Sequence, residues 1–88
     1  MNNFKYISTN NLTAVIAEDY AKVIVYTKTK SPFGYTKREM RHAPFGVKQE
    51  DFNYDYIKKA VNEVFNTFPD IQIKELIKKV NKYYDKIK

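Results

Sequence analysis

A chain of 88 residues with no cysteine and a net charge of +6 reads as one domain, 1–88, with a modest core and neither disulfides nor a thiolate metal site to support it. Its 43% hydrophobic and 30% charged content excludes the disordered class, and no apolar run approaches the ~18 residues of a membrane span. A single histidine and two glycines exclude a Cys–His nucleophile pair, leave a zinc site without ligands and leave no glycine-rich loop to cradle phosphate. No cofactor and no metal are expected.

Residues 4–8 hold Phe4, Tyr6 and Ile7 ahead of a Ser-Thr-Asn-Asn cluster, the pattern of a short strand and a turn. Residues 12–17 (LTAVIA) are a compact apolar run suited to a buried strand, and 18–20 (EDY) suit a hairpin loop. Residues 21–30 carry five β-branched side chains and a tyrosine in their first nine positions, the strongest strand signal in the chain.

The tripeptide Pro-Phe-Gly then occurs twice, at 32–34 and 44–46. The first copy fits a three-residue hairpin loop, with proline presetting φ and glycine supplying the left-handed position. The second copy marks the corner where sheet gives way to helices, after a strand over 35–43. Pairing Ser31 with Tyr35 sets Lys28 opposite Arg38, Tyr26 opposite Met40 and Ile24 opposite His42, and this register predicts Ile24, Tyr26 and Met40 as a core-facing strip.

From Gln49 onward the apolar period changes from two to 3.6. Phe52, Tyr56, Ile57, Ala60, Val61, Val64, Phe65 and Phe68 make one stripe, predicting a helix over 49–67 with Glu50 and Asp51 in its first turn. Ile73, Leu76, Ile77, Val80, Tyr84 and Ile87 make a second stripe on a helix over 72–87, with Asp70 as a cap. Tyr83 and Tyr84 are adjacent, so one ring is expected at the surface, where it would suit a contact between two copies in a homodimer. The expected fold is α+β: a small antiparallel β-sheet of three or four strands followed by two C-terminal α-helices packed on one face.

Charge is uneven along this order. Residues 28–43 carry a net +4, residues 50–70 a net −3 and residues 74–88 a net +4. The hairpin cations Lys28, Lys30, Lys37 and Arg38 fall beyond the predicted core, and opposed like charges there cost stability. A scaffold role alone does not account for them.

A basic hairpin with rings at its turn is suited to contact phosphates or carboxylates through its cations, with an aromatic as apolar anchor. The candidate binding residues are therefore Lys28, Lys30, Phe33, Tyr35, Lys37, Arg38 and Arg41. Each Pro-Phe-Gly phenylalanine has two options, folded back over the helices or displayed. Fourteen lysines against two arginines leave few residues for bidentate base readout, and this bias is typical of AT-rich bacteria, their phages and mobile elements.

The function expected from these features is non-enzymatic: a small binding protein acting on a nucleic-acid-handling system through its hairpin. It would regulate or inhibit a larger protein, such as a host or defence nuclease complex, by protein contact. Direct DNA or RNA binding is the alternative, and a small ribonuclease-type toxin using His42 a second one. No membrane partner is expected. The N-terminus MNNFKYIST lacks the basic and apolar regions of a signal peptide, so a cytoplasmic location in a bacterial host is expected.

Overall fold

The computed structural model describes residues 4–87; residues 1–3 and 88 of the expected domain lie outside the described residues. Strands β1 (Lys5–Ser8), β2 (Leu12–Ile16), β3 (Tyr20–Lys30) and β4 (Thr36–His42) form an antiparallel sheet in that order, and the two-residue β5 (Val47–Lys48) pairs with the start of β3. A 3-10 turn at Gln49–Asp51 leads to α1 (Tyr54–Asn62) and then α2 (Asp70–Ile87). The expected architecture forms: an antiparallel sheet followed by two C-terminal helices on one face. Helix α1 lies over β3, and α2 over β2 and β1.

The buried face of the sheet is made by Leu12, Ala14 and Ile16 of β2 and Ala21, Val23 and Val25 of β3, which share one cluster with Ile57, Ala60, Val61, Ile73, Leu76 and Val80 of the helices. The alternate residues point the other way. Tyr6 pairs with Val15, Thr13 with Ile24 and Tyr26 with Met40, all on the face that no helix covers. The expected core strip of Ile24, Tyr26 and Met40 is therefore corrected: it lines the open face, and Met40 is largely exposed. Apolar residues occur in both sets of β3, Val23 and Val25 in one and Ile24 and Tyr26 in the other, but Lys22, Lys28 and Lys30 all fall in the second, which marks it as the open face. The core-facing residues of β2 and β3 include one alanine on each strand and no ring, which lets α1 and α2 approach closely.

The register is as expected through Lys28↔Arg38 and Tyr26↔Met40, but His42 pairs with Val25 instead of Ile24. A bulge at Val25/Tyr26 inserts Arg41 as an extra residue, so both Arg41 and His42 lie on the helix side.

The first helix also differs from expectation: α1 covers 54–62, not 49–67. At its start, β5 draws 47–48 into the sheet, and the Gln49 side-chain amide donates to the carbonyls of Ala17 (2.8 Å) and Glu18 (3.2 Å). The helix begins only after Asn53, whose side chain accepts from the Tyr56 N–H (3.1 Å) as an N-cap. Glu50 and Asp51 thus sit in the 3-10 turn. Past Asn62 the apolar spacing continues without the helix: Val64, Phe65 and Phe68 fold onto the core from a loop, with the Phe65 and Phe68 rings 5.1 Å apart.

Helix α2 begins two residues earlier than predicted. Asp70 in its first turn accepts from the Tyr54 hydroxyl (2.8 Å) and from Lys58 (3.4 Å). Ile87 from the expected second stripe is mostly exposed, and Tyr83 and Tyr84 are both half-buried.

β3 exchanges hydrogen bonds with two partners on its second edge. Ala21 pairs with β5 and Val25 with β4, so Val23 between them has no strand opposite. Its N–H donates to the Tyr56 hydroxyl (3.2 Å), which in turn donates to the Phe45 carbonyl (3.2 Å). Burial pushes the Tyr56 phenol above its usual range, with the Val23 bond acting against that shift. One side chain of α1 thereby fills the break in the sheet.

The Tyr56→Phe variant should lose about 1–3 kcal/mol in urea unfolding, the cost of a buried Val23 N–H left unpaired; a loss as small as that of an exposed substitution would show that the bond adds nothing. The Tyr54 hydroxyl holds the Asp70 carboxyl below its usual range, helped by Lys58. A depressed folded-state value stabilises above the ordinary carboxylate range and is lost as pH falls through the folded value. In Tyr54→Phe the Asp70 midpoint should therefore move up toward that ordinary range, read by NMR titration of the side-chain carbonyl.

Candidate functional site: a basic finger with displayed rings

Strand β2 ends its pairing with β3 at Leu12↔Val25. Beyond that row β3 and β4 run on alone through five paired rows, from Tyr26↔Met40 to Lys30↔Thr36. At ~3.4 Å per residue this carries the turn roughly 17 Å past the sheet body. The result is a two-stranded finger on a molecule 45 Å long and 28 Å wide.

The finger is fixed at both ends. At its base, Asn11 accepts from the Tyr26 N–H (2.9 Å) and its side-chain amide donates to the Tyr26 carbonyl (3.1 Å). Asn11 is itself held by Gln72 of α2, through its N–H (3.2 Å) and side chain (3.3 Å). At the tip the expected three-residue loop is present, with Gly34 at φ +90°. The Ser31 N–H donates to the Tyr35 carbonyl (2.8 Å), the Gly34 N–H to the Ser31 carbonyl (3.0 Å), and the Ser31 hydroxyl accepts from the N–H groups of Phe33 (3.3 Å) and Tyr35 (3.2 Å). Positive φ at Gly34 is the one position where a side chain would strain this turn.

The turn displays its rings. Phe33 is 85% exposed and Tyr35 71%, while Phe45 of the second Pro-Phe-Gly is 96% exposed. Neither phenylalanine folds back over the helices. Gly46 after Phe45 is held against the Tyr20 ring, where an added Cβ would come within 2.5 Å of Cδ2. Together with the Tyr56 bond to the Phe45 carbonyl, this close approach seats the corner while its ring points to solvent.

The candidate cations divide between the two faces of the finger. Lys37 and Arg41 lie on the helix side with Glu39, at 3.8 and 3.1 Å, and Arg41 also donates to Thr27 (3.1 Å). Lys28, Lys30 and Arg38 lie on the open side. The directly opposed pair Lys28↔Arg38 is relieved by divergence. Lys28 donates to the side chain of Asn10, whereas Arg38 turns back over the Tyr26 ring, 4.1 Å from its centroid, and donates to the Thr13 hydroxyl (3.1 Å). Lys30 has no charged or hydrogen-bonded partner among the described residues.

His42 is half-buried beside the bulge, next to the ion-paired Arg41. No group of three metal-ligating side chains occurs among the described residues. The second basic region of the chain lies elsewhere, along α2. Lys79, Lys82 and Lys86 rim a shallow groove against β1, with Ile7 and Tyr83 as its apolar floor, so it does not join the finger. No helix among the described residues is long and apolar enough to cross a membrane. The sequence left the placement of Phe45 open, because a Pro-Phe-Gly corner reads the same whether its ring is packed or free.

Since neither ring touches the core, Phe33→Ala and Phe45→Ala should each change unfolding stability by no more than ~0.5 kcal/mol. A loss of ~3 kcal/mol or more in urea denaturation, as for a buried ring, would contradict the exposed placement. Comparison with known protein families, with curated proteins and with solved structures finds no match for this chain.

Proposed function

We propose that this protein acts without catalysis, as a binding protein of a nucleic-acid-handling system, and that its finger docks on a larger protein of that system as a phage or mobile-element regulator or inhibitor would. The observation that carries the reading is Phe33, a large apolar ring standing free on a turn closed by four hydrogen bonds. A ring carried on a backbone already held in place gives up less conformational entropy on docking. Aromatic anchors ringed by cations are the usual composition of interface hot spots.

Charge selects the kind of surface. The finger offers Lys28, Lys30, Lys37, Arg38 and Arg41 against Glu39 alone, so it is matched to an acid-lined cleft. The carboxylate clusters that hold catalytic metal ions in nucleases are clefts of this type. In this reading Phe33 fills an apolar recess, while Lys30 and Lys37 meet carboxylates at its rim. Arg38 keeps its place over Tyr26 and stiffens the strand pair.

Capture from a bacterial lysate with the tagged protein tests the proposal. It should recover a near-stoichiometric protein partner that survives nuclease treatment, with Phe33→Ala weakening capture by about tenfold or more and Lys30→Glu/Lys37→Glu abolishing it. Capture that vanishes with nuclease, or that ignores both finger variants, would reject docking by the finger.

A further inference from the structure

The face of the sheet opposite the helices is uncovered. Its strands carry Lys22, Lys28, Lys30, Arg38 and Lys48 on that side, as the register through Val15↔Lys22, Lys28↔Arg38 and Tyr20↔Lys48 places them. Glu39 is the only acid on any strand, and it lies on the helix side with Arg41. The open face is therefore cationic without a neutralising carboxylate on its strands.

The same face presents flat groups. Tyr6 is 62% exposed on β1. Arg38 is exposed, lies over Tyr26 and is oriented by Thr13, whose hydroxyl is also hydrogen-bonded to Ser8 (2.9 Å). A guanidinium held over a ring and fixed by a second bond offers its outer side as a stacking surface. Thr13, Val15 and Ile24 lie on the same face together with the exposed Met40.

We propose that this open face binds single-stranded nucleic acid, with bases stacking on Tyr6 and on the Arg38–Tyr26 pair and with phosphates on Lys22, Lys28 and Lys48. Flat stacking surfaces combined with backbone-tracking cations are the recognition chemistry of single strands. Duplex is disfavoured by shape. Four strands at ~4.8 Å spacing are roughly 14 Å across before side chains, wider than the ~12 Å major groove, and paired bases offer no free face to Tyr6. This surface is separate from the finger tip, and the inference stands without the docking role proposed for Phe33.

Fluorescence anisotropy with labelled oligo(dT) and oligo(U) of about 12 nucleotides, and with a duplex of equal length, provides the test. The single strands should bind at ~50 mM salt, more tightly than the duplex, and weaken as salt rises. Tyr6→Ala should lower affinity about tenfold and Tyr6→Phe should restore it, since stacking needs the ring and not the hydroxyl. Lys22→Glu/Lys48→Glu, both on the face that no helix covers, should weaken binding and make the log–log salt slope about 1.4 less negative, ~0.7 for each phosphate that no longer meets a lysine. Phe33→Ala should leave the titration unchanged.

The proposal is overturned by no binding at ~50 mM salt, by a duplex bound as tightly as the single strands, or by Tyr6→Ala without effect. A captured protein partner that Tyr6→Ala releases, in a preparation that binds no oligonucleotide, would reassign the face to protein recognition and equally overturn it.

Discussion

A single phenol reconciles the two halves of this fold. β3 needs a partner along its whole second edge, yet β4 and β5 meet it at separate places and leave Val23 facing a gap. The Tyr56 hydroxyl occupies that gap, accepting from Val23 and donating to the Phe45 carbonyl. A backbone N–H as fully buried as that of Val23 would otherwise be orphaned at a cost of about 1–3 kcal/mol. Because Tyr56 comes from α1, the same bond ties the helix layer to the corner after β4.

From that anchor the charge distribution follows. Strand alternation sends Lys37 to the helix side with Glu39, while the bulge adds Arg41 to that group. Lys28, Lys30 and Arg38 go to the open side, where the strands carry no acid. Opposed cations are tolerated because each has an outlet: Asn10 for Lys28, the Tyr26 ring and Thr13 for Arg38. The finger is consequently amphoteric on one side and purely basic on the other, so the two sides suit different ligands. Its isolation beyond β2 leaves no third strand to bury either side, which keeps the tip rings free.

Much of the hairpin was legible in the residues. Proline and glycine around Phe33 set the turn, and the turn set Ser31 opposite Tyr35, which propagates to Lys28↔Arg38 and Tyr26↔Met40. The legible part ends at Arg41, since a bulge has no signature in the apolar pattern and moves His42 from Ile24 to Val25. The long first helix over-read its stripe for a related reason. Phe52, Val64, Phe65 and Phe68 do pack on the core, but from a 3-10 turn and a loop. Burial, not helicity, dictates apolar spacing there, while Asn53 and Gln49 decide where the helix begins.

By itself the sequence determined the order of elements, the hairpin and its tip, and the concentration of positive charge on the finger and α2, because these rest on local backbone preferences and on charges that stay with their residues. Which face of β3 enters the core was marked only in part by the sequence, through Lys22 among the open-face residues, and was settled by the tertiary structure. Ile24 and Tyr26 compete with Val23 and Val25 for burial, and the set with Ala21 and no ring is the one that lets two helices sit close. The same packing fixed the fate of the second Pro-Phe-Gly: with Tyr56 on its carbonyl and Tyr20 against Gly46, the corner is held by its backbone and Phe45 is left in solvent. No local preference contains that outcome, because it depends on a hydroxyl that α1 brings across from eleven residues further along the chain.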